Sequence, residues 1–221
     1  MCFSATASFI AGGTLSTIGG VTVKKVRKKS EFPFAAIPLL FGIQQIIEGI
    51  LWLSFYYNLA LIRAVSTFLF SLFAYALWPA FVPFSVKLLE PSPGRKKLLS
   101  VLQTIGGVVG LNSLYFIVRY PVTCSIVNYS IQYAGSIPFG SQIFWLYLVS
   151  ACGSCFVSSH KIINLFGVLV VLSIAIADHF YVVSFVSVWC FFAALLSGVV
   201  YLYFVKRDGK LNAYKIGTLF E

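Results

Sequence analysis

The sequence predicts an all-α membrane protein, a single bundle of seven transmembrane helices over residues 1–221. Three observations support this fold class. First, 59% of the residues are hydrophobic and only 10% are charged, and the mean hydropathy of +0.93 exceeds that of soluble domains. Second, apolar segments long enough to cross about 30 Å of hydrocarbon recur along the whole chain. Third, basic residues concentrate in alternate loops, as membrane topology requires.

Charges, prolines and turn residues divide the chain into seven apolar segments. The predicted spans are residues 4–23, 33–57, 62–86, 97–119, 141–159, 162–181 and 183–205. The first span resembles a signal peptide in length, but no basic residue precedes it. We therefore expect it to be a retained helix.

The basic residues predict the orientation of the bundle. With the N-terminus outside, seven spans place 14 of the 16 Lys and Arg residues on the inner side and only Arg63 and Arg119 on the outer side. The positive-inside rule then predicts a cytoplasmic C-terminus. The net charge of +10 is explained by basic loops beside anionic lipid headgroups, so the bilayer is the expected partner and nucleic acid is not.

Small residues and prolines predict how some helices pack. Glycine, serine and alanine at four-residue spacing favour close approach of helix backbones. Such pairs or stripes are Ser8, Gly12, Ser16 and Gly20 in the first span, Gly106 and Gly110 in the fourth, and Ala194 and Gly198 in the seventh. Pro79 and Pro83 are expected to kink the third span.

The outer loop, residues 120–140, carries no charge and is rich in Tyr, Ile and Val. We expect it to fold back over the bundle as a lid or a re-entrant piece, and a loop lying on the membrane surface is the alternative. Residues 128–130, Asn-Tyr-Ser, match the glycosylation sequon.

Two cysteines, Cys152 and Cys155, form a C-x-x-C motif inside the fifth span. The spacing puts both sulfurs on one helix face, which is typical of thiol-redox sites. Cysteine is also an ordinary small packing residue in apolar cores. Both interpretations are open at this point, and packing is favoured because a thiolate is costly far from water.

Polar residues inside the second span are the main functional signal. Gln44, Glu48 and Trp52 recur at four-residue spacing, with Gln45 beside them, so they form one polar stripe on a helix. A carboxylate in hydrocarbon is costly and must be protonated or partnered. We therefore predict that this stripe faces the bundle interior and that Glu48 is its functional centre.

Other helices bring polar groups to the same outer half of the predicted bundle. The candidate ligand-binding residues on these helices are Asn112, Arg119, Asp178, His179, Trp189 and Cys190, with Cys2 and Ser4 nearby in the predicted threading. Alternatively, Arg119 and His179 are interfacial residues whose side chains reach the lipid headgroups. The alternative role of Asp178 is structural, to cap or end its helix. His160, beside Lys161, is expected to be a loop residue.

Comparison with known seven-helix classes excludes several functions. The seventh span has no lysine for a retinal Schiff base, and the chain has only two histidines, whereas zinc-dependent intramembrane amide hydrolases need three. No Pro-Gln dipeptide of the sugar-transporter class and no phosphate-binding loop is present. The sequence indicates no metal site and identifies no cofactor.

Five motifs carry a resemblance to a known family: "MCFSATASF", "PLLFGIQQIIEGILW", "PAFVPFSVKLLEP", "RYPVT" and "SVWCFFAALLSG". They resemble an uncharacterised prokaryotic integral-membrane family, a domain of unknown function whose members open with the first motif. The resemblance implies a multi-pass protein of a prokaryotic cytoplasmic membrane and no established activity. Members often carry His at the position of Gln44.

Three functional hypotheses follow from the sequence. The first is a transporter or sensor that binds a small molecule or ion in an outward-facing pocket centred on Glu48. The second is an intramembrane enzyme acting on a lipid-like substrate, with Glu48 as general base, His179 or Cys190 as its partner and Arg119 binding an anionic headgroup; Cys2 is a further candidate nucleophile. The third is a structural or assembly subunit without a ligand.

Overall fold

A computed structural model of the protein describes residues 4–135 and 140–217, with side chains up to residue 208 in the last helix. Seven helices in this part of the chain are long and apolar enough to cross a membrane, which confirms the predicted number. They are α1 (Ala5–Lys24), α2 (Lys29–Tyr56), α3 (Ala60–Leu89), α4 (Pro93–Arg119), α5 (Gly140–Val157), α6 (Lys161–Phe180) and α7 (Val182–Asp208).

The helices form one bundle in which consecutive helices pack against each other. The bundle closes because α1 and α2 also contact α7, and α3 packs on α5 as well as on α4. The apolar core extends through most of these helices and includes Phe34, Trp78, Leu99 and Phe204. This arrangement brings α2 and α7, which are distant in sequence, side by side.

The last helix is interrupted near its middle. An α-helical segment Phe185–Leu196 ends before Gly198, and helix resumes over Val199–Gly217, beyond the predicted end at residue 205. Ala194 is fully buried as the small-residue pattern predicts. Gly198 instead lies between the two helical segments, at the interruption, and not on a helix face that contacts another helix.

Glycines allow α1 and α2 to lie very close together. A Cβ atom on Gly12 would lie 3.0 Å from the Gly42 carbonyl oxygen, and one on Gly19 would lie 2.4 Å from the Leu39 nitrogen. Outside its own helix, no atom of the described residues lies within 4 Å of a Cβ built on Gly20. The predicted stripe therefore continues through Gly19 and not Gly20, because a helical face advances by three as well as four residues.

Close packing also joins α3 to α4. The backbone of α3 widens into a π-helical segment over Leu72–Leu77 before the prolines. Gly106 of α4 approaches the Pro79 carbonyl oxygen so closely that a Cβ atom there would lie 1.8 Å from it. Because Pro83 has no N–H, that carbonyl lacks its usual helical donor, and the glycine lets α4 fill the space beside it.

A β-hairpin, which the sequence analysis did not predict, occupies most of the loop after α4. Strand β1 (Thr123–Val127) pairs antiparallel with β2 (Ser130–Ala134). The two turn residues Asn128 and Tyr129 both have positive φ, at 48° and 56°, as a type I′ turn requires. The first two residues of the glycosylation sequon thus form the turn itself, and its third residue, Ser130, is buried.

Loops from different parts of the chain meet at one end of the bundle, which we call the basic end. Arg27, just after α1, lies 3.1 Å from Asp208 at the end of α7. Arg95 at the start of α4 donates to the Val157 carbonyl at the end of α5, and Ser159 donates to the Glu90 carboxylate. The loops that carry most of the lysines and arginines therefore share one end.

Candidate functional site

The polar stripe of α2 is buried inside the bundle. Gln44, Gln45 and Glu48 have no exposed surface, and Trp52, one further turn along, is half-buried. Their shared face follows from the four-residue spacing, which places side chains one above another on a helix. Two amides and one carboxyl group are thus buried together, which is unusual in an apolar bundle. Buried polar groups of this kind need hydrogen-bond partners.

Glu48 is held by a residue that the sequence analysis missed. The hydroxyl of Ser187, in the first turn of the α-helical segment of α7, donates to Glu48 Oε1 at 2.6 Å. Ser187 lies three residues before the predicted site residue Cys190, and i, i+3 positions share a helix face. This spacing could have identified Ser187 as a neighbour of Cys190 on one helix face. It does not indicate which other helix that face contacts.

Gln44 is held by a second missed residue. The indole N–H of Trp78 in α3 donates to Gln44 Oε1 at 2.9 Å, and the Phe41 ring stacks on Trp78 with 3.8 Å between ring centroids. A buried tryptophan needs an acceptor for its N–H, and here the amide oxygen supplies it. The bond fixes the orientation of the Gln44 amide.

Trp189 and Cys190 lie beside this pair. They line a cavity of about 40 Å³ together with Trp78 and Tyr147 of α5. Cys190 also lies next to Gln44 and Glu48. The structure thus brings five predicted residues, from α2 and α7, to one buried region, which we call the Glu48 cluster: Gln44, Gln45, Glu48, Trp189 and Cys190.

Several buried polar atoms around the cluster lack an acceptor or donor from the described residues. These atoms are Gln45 Oε1 and Nε2, Trp52 Nε1 and Trp189 Nε1. Leaving a buried polar group without a hydrogen bond costs about 1–3 kcal/mol. The cluster therefore has hydrogen-bonding capacity that a bound molecule can use.

Other predicted residues lie away from the cluster. Arg119 is exposed, with its guanidinium 5.5 Å from the ring centroid of Tyr120. Asp178 and His179 are also exposed, and the His179 ring contacts Phe180. These three residues stand at helix ends, where their side chains reach the surface of the bundle and not its interior.

Asn112 and the N-terminal candidates occupy intermediate or peripheral positions. Asn112 is half-buried in α4, and its Nδ2 has no hydrogen-bond partner in the described part of the chain. Ser4 is exposed and caps α1 by accepting a hydrogen bond from the Ala7 amide at 3.2 Å. Cys2 lies outside the described residues.

The cysteines of the C-x-x-C motif line the cavity but act as packing residues in this structure. Cys152 and Cys155 are free thiols and are buried. Cys155 donates to the Ala151 carbonyl within its own helix at 3.6 Å. Among the described residues, no three His, Cys, Asp or Glu side chains form a group that could hold a metal ion.

The β-hairpin packs next to the cluster at the end of the bundle opposite the basic end. The Tyr133 ring stacks on Phe70 of α3 with 4.5 Å between ring centroids, and Phe70 packs with Cys190. Cys124 of β1 lies 2.9 Å from the Thr67 hydroxyl. Burial raises the pKa of the Cys124 thiol, although the neighbouring Thr67 and Arg63 act in the opposite direction.

Glu90, a buried acid at the basic end, connects two loops by hydrogen bonds. Glu90 accepts hydrogen bonds from Ser159 and from the Ser92 amide, and His160 nearby contacts the Leu89 carbonyl. Burial by itself raises the pKa of Glu90, but the hydrogen bonds outweigh it and hold the pKa below its ordinary value. This carboxylate joins the loops after α3 and α5.

Comparison with known proteins agrees with the sequence resemblance. Searches against curated proteins and against solved structures gave no match. A family model, described as a family of unknown function (DUF6629), matches residues 1–214. Since this match covers nearly the whole chain, the protein belongs to that family of unknown function.

Proposed function

We propose that the protein is a seven-helix transporter or sensor of a prokaryotic cytoplasmic membrane, and that it binds a cation or a small cationic molecule at the Glu48 cluster. Its N-terminus lies outside and its C-terminus in the cytoplasm. The observation that carries the proposal is the fully buried Glu48 carboxyl, which lies between two helices among polar atoms with unused hydrogen-bonding capacity.

The orientation is supported by the charges of the loops. The loops that meet at the basic end hold most of the 16 Lys and Arg residues, and cytoplasmic loops carry such an excess. The Glu48 cluster lies in the other half of α2, nearer Tyr56 than Lys29 in sequence. A ligand would therefore enter from the outer side, past the β-hairpin.

The chemistry of the cluster favours a positively charged ligand. Glu48 supplies a carboxylate, Ser187 a hydroxyl oxygen and Gln45 an amide oxygen, and oxygen groups of these kinds bind hard cations and ammonium groups. In hydrocarbon, a buried carboxyl group is stable only when it holds a proton or faces a positive charge. Binding of a cation would then be coupled to release of the proton from Glu48, and release of the cation to its protonation.

The enzyme hypothesis has less support than binding. His179, one of the expected proton-transfer partners, is exposed at the end of α6, and His160 contacts Leu89 and Tyr203 at the basic end. Neither histidine is placed to act on a group bound at Glu48. Cys190 does lie beside Glu48, so a thiol is the remaining partner for acid–base chemistry.

The proposal is tested by Glu48→Gln, with the protein in lipid nanodiscs. The melting temperature would be measured while Na⁺, K⁺ or NH₄⁺ replaces a bulky organic cation, at several pH values. A cation at 100 times its Kd stabilises the folded state by about 2.7 kcal/mol. We expect the wild type to gain stability from at least one of these cations or from protons, and Glu48→Gln to lose that gain.

Glu90→Gln is the matched control, because Glu90 is also buried but lies at the basic end. It should keep the cation response of the wild type even if its overall stability falls. An unchanged cation and pH response in Glu48→Gln would contradict the proposal, as would a wild type that responds to none of these ions.

A further inference from the structure

Two charged residues, the buried Glu31 and the half-buried Arg207, hold the loop between α1 and α2. The amides of Arg27 and Lys28 both donate to Glu31 Oε2, at 2.9 and 3.2 Å. Arg207 of α7 lies 2.6 Å from the same carboxylate oxygen and donates to the Lys25 carbonyl at 2.7 Å. Glu31 and Arg207 therefore fix the backbone of this loop from inside.

The acids near this loop leave part of its positive charge unpaired. Five of the six residues 24–29 are basic. Asp208 lies 3.5 Å from Lys25 and 3.1 Å from Arg27. Lys28 and Lys29 are exposed, and no acidic group of the described residues forms an ion pair with either. These two lysines are available to an external anion.

An open pocket of about 390 Å³ lies on this loop. Its lining consists of Val26, Arg27, Lys28, Lys29 and Phe32. Phe32 is 52% exposed although it is a large apolar residue. The pocket thus combines a cationic rim with an apolar wall, and its backbone is already ordered by Glu31.

We propose that this pocket binds the phosphodiester headgroup of an anionic phospholipid of the cytoplasmic leaflet. The phosphate would lie against Lys28, Lys29 and the outer face of Arg27, and the glycerol and the start of the acyl chains against Phe32 and Val26. A free phosphate ion would use the lysines but not the apolar wall, so the mixed lining favours a lipid. Basic pockets at the cytoplasmic ends of helices bind such headgroups.

This inference rests on the proposed membrane embedding and orientation but not on Glu48. The test uses the full-length protein in detergent with equal amounts of phosphatidylglycerol and phosphatidylcholine, and native mass spectrometry counts the lipids that stay bound. We expect the wild type to retain phosphatidylglycerol preferentially. Lys28→Ala combined with Lys29→Ala should weaken that retention by about thirtyfold, from the usual contribution of each cation near an anionic surface.

The matched control is Lys96→Ala combined with Lys97→Ala, which removes the same charge from the exposed first turns of α4 at the same end. We expect this variant to retain phosphatidylglycerol as the wild type does. Phe32→Ser keeps every charge and should still weaken retention, because it removes the apolar wall. Circular dichroism checks that each variant keeps its helix content.

Three results would overturn the proposal. Equal losses in the two double-lysine variants would show general attraction by net charge, and full retention in Phe32→Ser would show that the pocket does not contact the lipid body. Displacement of phosphatidylglycerol by millimolar inorganic phosphate would show a free-phosphate site. Loss of both phosphatidylglycerol and phosphatidylcholine from the wild type and from every variant would instead count against the membrane embedding on which the proposed function rests.

Discussion

The contact between Gly106 and the Pro79 carbonyl makes a sharp prediction about stability. An alanine Cβ at position 106 would lie 1.8 Å from the carbonyl oxygen and 2.6 Å from the carbonyl carbon of Pro79. Ordinary carbon–oxygen contacts exceed about 3.3 Å, so α3 and α4 would have to separate by roughly 1.5 Å. The blocking atoms belong to the backbone and cannot rotate away.

The expected cost follows from opposing terms. Overpacking a close contact costs about 1–3 kcal/mol, and this rigid site belongs at the upper end. Alanine favours helix over glycine by about 1 kcal/mol. Gly106→Ala should therefore lower the free energy of unfolding by about 2 kcal/mol, measured by equilibrium unfolding in mixed detergent micelles.

The adjacent residue provides the control. Beyond its own helix, no atom in the described part of the chain lies within 4 Å of a Cβ built on Gly107. Gly107→Ala therefore keeps only the gain in helix propensity and should raise the free energy of unfolding by up to about 1 kcal/mol. The reasoning is wrong if Gly106→Ala is as stable as the wild type, or if both variants shift stability in the same direction and by the same amount.

Two further predictions concern the ends of the bundle. Thr67→Cys should form a disulfide with Cys124 under mild oxidation, because the Thr67 hydroxyl already lies 2.9 Å from the sulfur. Thiol counting with a maleimide should show two thiols lost on oxidation, whereas Ser125→Cys, at an exposed position of β1, should stay reactive. A reactive thiol at position 67 would contradict the hairpin placement. Glu90 has a folded-state pKa below its ordinary value of 4.5, so its contribution to stability is present above about pH 4.5 and is lost as the pH falls through the lowered pKa. Glu90→Gln should therefore reduce the loss of stability on acidification in that window. An acid unfolding curve with the same slope as the wild type would show that the Glu90 carboxylate does not contribute this pH-dependent stability.

The α2 stripe shows how far sequence reasoning reaches into the site. Spacing alone predicted that Gln44, Glu48 and Trp52 share a face, and the cost of a carboxylate in an apolar segment predicted that this face is buried. Gln44 and Glu48 are indeed fully buried. These predictions succeeded because they depend on local helix geometry and on burial energetics, which are properties of a single segment.

The hairpin shows where that reasoning fails. Its strands are only five residues each, and the Asn128-Tyr129 turn lacks the Asn-Gly pair that usually marks a type I′ turn. Its position depends on contacts with α3, such as Tyr133 stacking on Phe70. A short, uncharged strand pair is stable only against a tertiary surface, and that surface is not visible in the sequence of the loop.

The sequence by itself determined the number of helices, the burial of Glu48 and the close packing at Gly106, because hydropathy, helical periodicity and side-chain size act over a few turns of one helix. Only the tertiary structure decided that Ser187 donates to Glu48 across 139 residues of sequence, that Trp78 fixes Gln44, and that Arg119, Asp178 and His179 remain exposed. The partner of a buried polar group depends on how helices rotate and cross, which is set by the packing of the whole bundle.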